Sequence, residues 1–418
     1  MALAAAALAF LLALHLAGAG FQGDPLAVLR QGPDARLWDV AGRRAPVIGV
    51  TLLAWLAAFL LAMAMERLSL RLSLRSGALY GSGRPIKRTG RIGARLLALS
   101  LVYLPLLCLA GAALEPSVGA ERLLVMLGSP LLAALTLAVL GGYRALAFAC
   151  AATALSYAID LIAGSPLTQL SLVGPNPAAG HRFYGIGNEL EACLVVLILA
   201  GTGAALSGFA VLEHRQTPQR RARARGSATF LVVALVFTFV FAYGRYGADV
   251  GAAITLPLGA AVAAALLAGR PRLALLAFLL PLPALALLSA ADLITGANAH
   301  LTKTVLDAKS GGDVLSVIGR RLGETASSFG RPTLVAGLPV VVVAAAIAWL
   351  RRDRLAAWLS GLPAMRAGLL GALAATLVGT VANDSGALLL EIGGAYLLVF
   401  IGFVWAESEG PDSTRRIL

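Results

Sequence analysis

About twelve apolar stretches, each near the length that crosses a bilayer, run through this 418-residue chain. A helix needs roughly 20 apolar residues to span the hydrocarbon core. The stretches 2–20, 46–65, 96–114, 123–140, 145–163, 189–212, 228–243, 252–268, 273–291, 333–350, 367–382 and 385–406 approach that length. Charged residues are 13% of the chain, against the ~25% of an average soluble domain. Mean hydropathy is +0.84. Lipid can cover that much apolar surface if helices close their own backbone hydrogen bonds. The expected fold is all-α, a polytopic transmembrane helical bundle of about twelve spans forming one integral membrane domain over 1–418. Segment 2–20 has the shape of a signal-peptide core but no basic n-region, and is read as a span.

The basic residues orient the spans. With 65–95 placed in the cytoplasm and sides alternating, the cytoplasmic segments hold 22 Lys and Arg and the outer segments 12. Nine of those twelve lie in the long loops 21–45 and 292–332, which count less in orientation. Both termini are therefore expected to be cytoplasmic. The net charge of +13 does not point to nucleic acid, because the basic residues sit in short loops beside apolar spans. Only Glu66, Glu213, Asp353, Glu407, Glu409 and Asp412 fall on the cytoplasmic side. The other acids lie toward the outer side, which suggests a polar outward-facing cavity.

Four polar constellations interrupt the apolar pattern on that side. Gly174 to Glu191 joins the fifth and sixth stretches. Asn188 is placed to cap the following helix, with Glu189 and Glu191 in its first turn and His181 and Arg182 ahead of it. This is either a capped turn whose arginine pairs with a helix-start glutamate, or an anion site suited to phosphate. Tyr243 to Gly251 carries Arg245 and Asp249 in a very short loop. They either pair or face the first constellation, since ionisable groups at such depth turn to the bundle interior. The loop 292–332 is expected to hold short amphipathic helices on the outer face. In it His300 is a candidate general base, its ordinary pKa lying near neutrality. Asn383-Asp384-Ser385-Gly386 breaks an otherwise apolar run from Leu369 to Trp405. Such a break is tolerated where backbone faces protein or a water-filled cavity. Glu391 follows Asp384 by seven residues and is expected on the same helix face. Asp160, near the end of the fifth stretch, is the remaining inboard acid.

Cys108, Cys150 and Cys193 lie inside apolar stretches with neither metal nor disulfide spacing, and read as small core residues. No Walker loop, GxSxG or metal-spaced His/Cys/Glu cluster occurs, so no metal or cofactor is expected.

The order Arg182-Phe183-Tyr184-Gly185-Ile186-Gly187-Asn188, Gly247-Ala248-Asp249-Val250-Gly251, His300 to Arg321, and Asn383-Asp384-Ser385-Gly386 resembles a family of bacterial multi-pass membrane proteins of high-GC Gram-positive lineages. No activity is assigned to that family. Some members carry an upstream extracytoplasmic domain of alkaline-phosphatase type. The resemblance covers roughly 140–400, and implies residence in the bacterial cytoplasmic membrane and a phosphatase-like extracytoplasmic partner. A weaker similarity is to O-antigen ligases and polymerases, through Arg182, Gly185 and Asn188 and through Gly244-Arg245-Tyr246-Gly247. It implies roles for Arg182, Arg245, His300 and Arg320. Their Asn-Pro-Asn is Gly187-Asn188-Glu189 here.

Three functional readings follow. The first is an envelope glycoconjugate transferase, ligase or polymerase on a polyprenyl-phosphate-linked substrate. Asp384 or His300 would be catalytic, and Arg182, Asn188, Glu191, Arg245, Asp249, Asn383 and Glu391 would line the substrate site. The second is a transporter or lipid translocase for an anionic substrate, with Asp160, Asp249, Asp384 and Glu391 carrying protons or ions. The third is a non-catalytic scaffold for an extracytoplasmic partner.

Overall fold

The computed structural model describes residues 35–75, 86–175, 185–213, 219–280, 283, 287, 311–331 and 337–408. Helices dominate these residues, and no strand occurs among them. α1 (Ala35–Arg44) passes through a π-helical turn (Ala45–Gly49) into α2 (Val50–Arg75). α3 (Ile86–Leu114), α4 (Val118–Leu140), α5 (Gly142–Ile162), α6 (Asn188–Glu213), α7 (Gln219–Ala242) and α8 (Val250–Leu267) follow. Next come α9 (Pro271–Leu276), α10 (Gly311–Ser328), α11 (Leu338–Leu350), α12 (Arg352–Leu359), α13 (Pro363–Ala382) and α14 (Gly386–Ser408).

Nine helices among the described residues are long and apolar enough to cross a membrane, and each coincides with one of the apolar stretches. Three stretches differ. The first, 2–20, lies outside the described residues. The ninth, 273–291, is described mainly as α9 and the 3-10 turn Ala277–Leu279. The tenth, 333–350, is described as the 13-residue α11, shorter than a span. In the loop 292–332 one amphipathic helix, α10, is described, and residues 298–309 lie outside.

The outward surface is apolar. On α4, Leu123, Leu127, Leu131 and Leu135 recur at four-residue spacing and are 53–69% exposed, where a water-facing helix would be polar. Among the nine spans α6 is the most enclosed and α4 the least. α13 lies between α6 and α8, with α14 beside it. This seam is built on glycine. A Cβ on Gly371 would overlap the Gly259 carbonyl, and one on Gly259 would meet the Gly371 carbonyl at 2.8 Å. A Cβ on Gly368 would meet the Leu199 carbonyl at 2.6 Å. Small residues let helix backbones approach closely, which replaces the hydrophobic driving force that lipid removes.

Three spans carry interior prolines, Pro105, Pro130 and Pro257. Each lacks an N–H and so frees the carbonyl four residues earlier. For Pro105 and Pro130 those are Leu101 and Met126, and for Pro257 it is Ala253. Tyr396 Oη donates to the Leu101 carbonyl at 3.2 Å, and Trp55 Nε1 to the Met126 carbonyl at 2.9 Å. Thr153 Oγ1 donates to the adjacent Val102 carbonyl at 2.9 Å. Each side chain comes from another helix, so these bonds also tie helices together.

The starts of α4, α6, α8 and α14 meet the ends of α3, α5, α7 and α13 at one end of the bundle, called here the Asn188 end. At the opposite end Arg95 Nε pairs with Glu407 Oε1 at 2.6 Å, and Arg95 Nη2 donates to the Ala406 carbonyl at 3.0 Å.

Tyr396→Phe should cost ~1–3 kcal/mol, the penalty for stranding a buried acceptor, read as a lower unfolding midpoint in detergent. In a Pro105→Ala background the missing N–H returns, so the same change should cost measurably less. Equal costs in both backgrounds would refute the substitution of hydroxyl for amide.

Candidate functional site

At the Asn188 end, residues from four segments converge. The shape begins with glycine. Gly185 has φ +78°, and the Ile186 N–H donates to the Gly247 carbonyl at 3.1 Å, so a side chain on Gly185 would collide with that carbonyl. Gly247 in turn rests on the Phe241 backbone, and its N–H donates to the Val240 carbonyl at 3.0 Å. The first two constellations of the sequence are thus packed against each other.

α6 begins differently from the sequence expectation. The Glu191 N–H donates to the Gly187 carbonyl at 2.9 Å, so Gly187 holds the capping position. Asn188 is the first helical residue, and its amide reaches across to the α13–α14 turn instead. Asn188 Nδ2 donates to Asp384 Oδ1 at 3.2 Å. Asn383 Nδ2 donates to Asn188 Oδ1 at 3.2 Å and to Glu191 Oε2 at 3.3 Å, while Asn383 Oδ1 accepts from the Ser385 N–H at 3.1 Å. A carboxylate oxygen accepts from an amide N–H, so the carboxylates at either end of this chain fix which way both amides point.

Glu191 is fully buried at the centre. Thr255 Oγ1 stands 3.0 Å from Glu191 Oε1 and 3.0 Å from the Gly251 carbonyl, sharing one proton between them. The Glu191 carboxylate lies against Gly251, where a Cβ would meet Oε1 at 2.7 Å. Asp249, also buried, caps α8 by accepting from the Gly251 N–H at 3.1 Å. Two carboxylates therefore stand at the positive end of the α8 dipole, which favours them.

The polar break is a tight turn between two spans. Asn383 is extended (φ −107°, ψ 144°) and α14 begins at Gly386. α10 docks on this turn. Thr325 Oγ1 donates to the Asn383 carbonyl at 2.7 Å, and Ser328 Oγ accepts from the Ala387 N–H at 3.1 Å. Asn383, Thr325 and Ser328 are buried, whereas Asp384 is exposed at the rim.

Other expected residues lie elsewhere. Asp384 precedes α14, so it does not share a helix face with Glu391. Glu391 is 2% exposed, and its carboxylate packs on the Gly337 backbone at the start of α11. Arg245 is exposed on the loop beside a Phe239, Tyr243 and Tyr246 aromatic cluster. Arg182 and His300 lie outside the described residues. Asp160 is structural in its contacts. Its two oxygens accept from the Leu167 N–H at 3.0 Å and the Thr168 N–H at 2.7 Å, closing the turn after α5. Among the described residues no group of three or more His, Cys, Asp or Glu is placed to hold a metal.

Sequence reasoning missed Thr255, Thr325 and Ser328, which carry no charge signal. It also missed Arg44. That guanidinium is 1% exposed, pairs with Glu189 Oε2 at 3.0 Å, and donates to the Gly174 carbonyl. Arg43 pairs with Asp39 and Glu121, and donates to the Pro116 carbonyl. The glutamate at the start of α6 thus has its arginine from α1.

Comparison of the chain with family models, curated proteins and solved structures found no match.

Gly251→Ala should destabilise the bundle by ~1–3 kcal/mol, because the new methyl displaces the Glu191 carboxylate. In a Glu191→Ala background the methyl has room, and the penalty should largely vanish in thermal unfolding. A penalty unchanged by Glu191→Ala would refute the close packing.

Proposed function

We propose that this chain is a cytoplasmic-membrane protein of a bacterial cell envelope whose Asn188 end faces outward and acts on a polyprenyl-phosphate-linked substrate. The reading is a glycoconjugate transferase, ligase or polymerase, with about twelve spans and both termini inside. Its main support is the placement of Asp384. This carboxylate is exposed at the rim, yet held by Asn188 and backed by the buried Glu191–Asn383–Thr255 network. A general base must be reachable by substrate and fixed in direction, and a rigid supporting shell provides the second condition. Arg245 on the neighbouring loop is exposed, and a guanidinium there suits a phosphate. The exposed leucines of α4 offer the lipid contact that a membrane-borne substrate shares. The motif order through Arg182, Asp249, His300 and Asp384 agrees with the multi-pass family resemblance, and with it a phosphatase-type extracytoplasmic partner.

The second reading, an anionic-substrate transporter, draws on Glu391. A carboxylate buried within a span is costly, and proton-coupled carriers keep such groups.

Orientation is checked by cysteine labelling, with the native cysteines buried. Gly119 and Gly361 are exposed with open space at Cβ, and lie at opposite ends of the bundle. Gly119→Cys should react with an impermeant maleimide in intact cells, and Gly361→Cys only after permeabilisation. The reverse pattern overturns the outward site.

Asp384→Asn keeps an oxygen for Asn188 but removes the charge. It should reduce transfer from a polyprenyl-phosphate-linked donor by about 10²-fold or more, the scale of a lost general base, with normal membrane insertion. Full activity would rule out a charged role. Glu391→Gln separates the two readings: a transferase retains its activity, and a proton-coupled carrier loses transport.

A further inference from the structure

The opposite end of the bundle carries a feature that the proposed site does not use. Arg220, Arg221, Arg223 and Arg225 fill the first two turns of the 24-residue α7. α7 runs antiparallel beside α8. Ser227 Oγ donates to the Ala264 carbonyl at 2.9 Å, and a Cβ on Gly226 would meet Leu267 at 2.8 Å. That packing brings the start of α7 to the α8–α9 turn, where Arg270 and Arg272 lie. Arg223 Nη1 is 3.8 Å from the Cβ position of Gly269. All six arginines are exposed, and none makes an ion pair with a described residue.

Among the described residues the fold gains no ion pair from this arrangement. Arg221 and Arg225 stand one turn apart, as do Arg220 and Arg223, and like charges at those spacings repel. The start of a helix also disfavours cations. The contrast with the Asn188 end is direct. There, Glu121, Glu189, Glu191 and Asp249 stand at helix starts, and Arg43 and Arg44 have carboxylate partners.

Depth narrows the partner. From Gly226 to Ala242, α7 offers roughly 25 Å of helix at ~1.5 Å per residue, short of the ~30 Å hydrocarbon core. The arginines therefore lie at the level of lipid phosphates, with aliphatic stems reaching along the helix. Leu273, Leu275 and Leu276 of α9 are exposed beside them, giving acyl chains an apolar wall.

We propose that this corner, formed by the start of α7 and the α8–α9 turn, is a binding surface for anionic phospholipid headgroups. The six arginines supply positive charge with no ion pair among the described residues, and the leucines of α9 receive the acyl chains. This surface is independent of the reading given to the Asn188 end, and rests only on the helices crossing a bilayer.

The test uses the full chain in nanodiscs, of phosphatidylcholine alone or with phosphatidylglycerol or cardiolipin. Wild-type protein should melt at a higher temperature in the anionic discs and retain anionic lipid on extraction, read by native mass spectrometry. An Arg220→Gln/Arg223→Gln/Arg270→Gln/Arg272→Gln variant should lose the melting difference and retain about tenfold less anionic lipid, since each arginine near the surface contributes to the attraction. A matched variant, Arg351→Gln/Arg352→Gln/Arg354→Gln, alters exposed arginines on and beside α12 and should keep both. Melting in phosphatidylcholine reports whether the variant folds. Equal lipid retention by the first variant overturns the proposal, as does an equal loss in the second. Soluble glycerol phosphate at matched concentration should not reproduce the stabilisation. If it does, the ligand is a free phosphate compound and the lipid assignment is wrong.

Discussion

In a bilayer, backbone carbonyls have no water to turn to, and that single constraint orders much of this molecule. Its plainest expression is the treatment of proline. Pro105 and Pro130 each open a gap in a span, and each gap is filled by a donor from another helix, Tyr396 or Trp55. The donors are amphipathic side chains, apolar along the ring and polar at one atom, so a buried hydrogen bond costs little burial of other polar surface. Serine and threonine behave in the same way on a smaller scale. Thr136, Thr202, Thr376 and Thr380 return their hydroxyls to carbonyls four residues back. Polar residues in these spans are thus mostly committed to backbone. That makes the side chain-to-side chain network of Asn188, Glu191, Thr255, Asn383 and Asp384 stand out.

The one-sided distribution of acids has a physical cause that the sequence reading did not supply. From sequence alone it suggests an outward-facing cavity. In the structure Glu121, Glu189 and Glu191 occupy first turns, Asp249 caps α8, and Asp384 stands just ahead of α14. Of the five described spans that start at this end, α4, α6, α8 and α14 place their first turns beside these acids, and their positive dipole ends stabilise carboxylates. Helix polarity accounts for much of the asymmetry. What it leaves over is Asp384, the one of these acids that is exposed.

Hydropathy made the spans legible, because an apolar run of about 20 residues has few other uses. The Asn383–Gly386 interruption was legible for the same reason, as a polar break in an apolar run. Pairings were not legible. Arg44 and Glu189 are separated by 145 positions, and the nearer Arg182 offered a local partner for a helix-start glutamate. The shared face expected for Asp384 and Glu391 assumed that both belonged to one helix, but the Asx turn at Asn383 delays α14 until Gly386. The capping role given to Asn188 failed because Gly187 supplies the first carbonyl, which frees the Asn188 amide to bridge two elements. In each case a tertiary contact decided what local spacing left open.

The glycine seam bears on how the Asn188 end could work. Gly368 near one end of α13, Gly371 within it and Gly379 near the other all press α13 against α6, α8 or α14. Interlocked backbone of this kind resists the rocking of one half-bundle against another that alternating access requires. A site seated on α6, α8, α13 and α14 then has a fixed floor, and the motion available to it lies above that floor. α10 touches the α13–α14 turn through the Thr325 and Ser328 hydroxyls. A fixed base suits chemistry at one face of the membrane better than passage through it. This mechanical argument favours the transferase reading over the carrier.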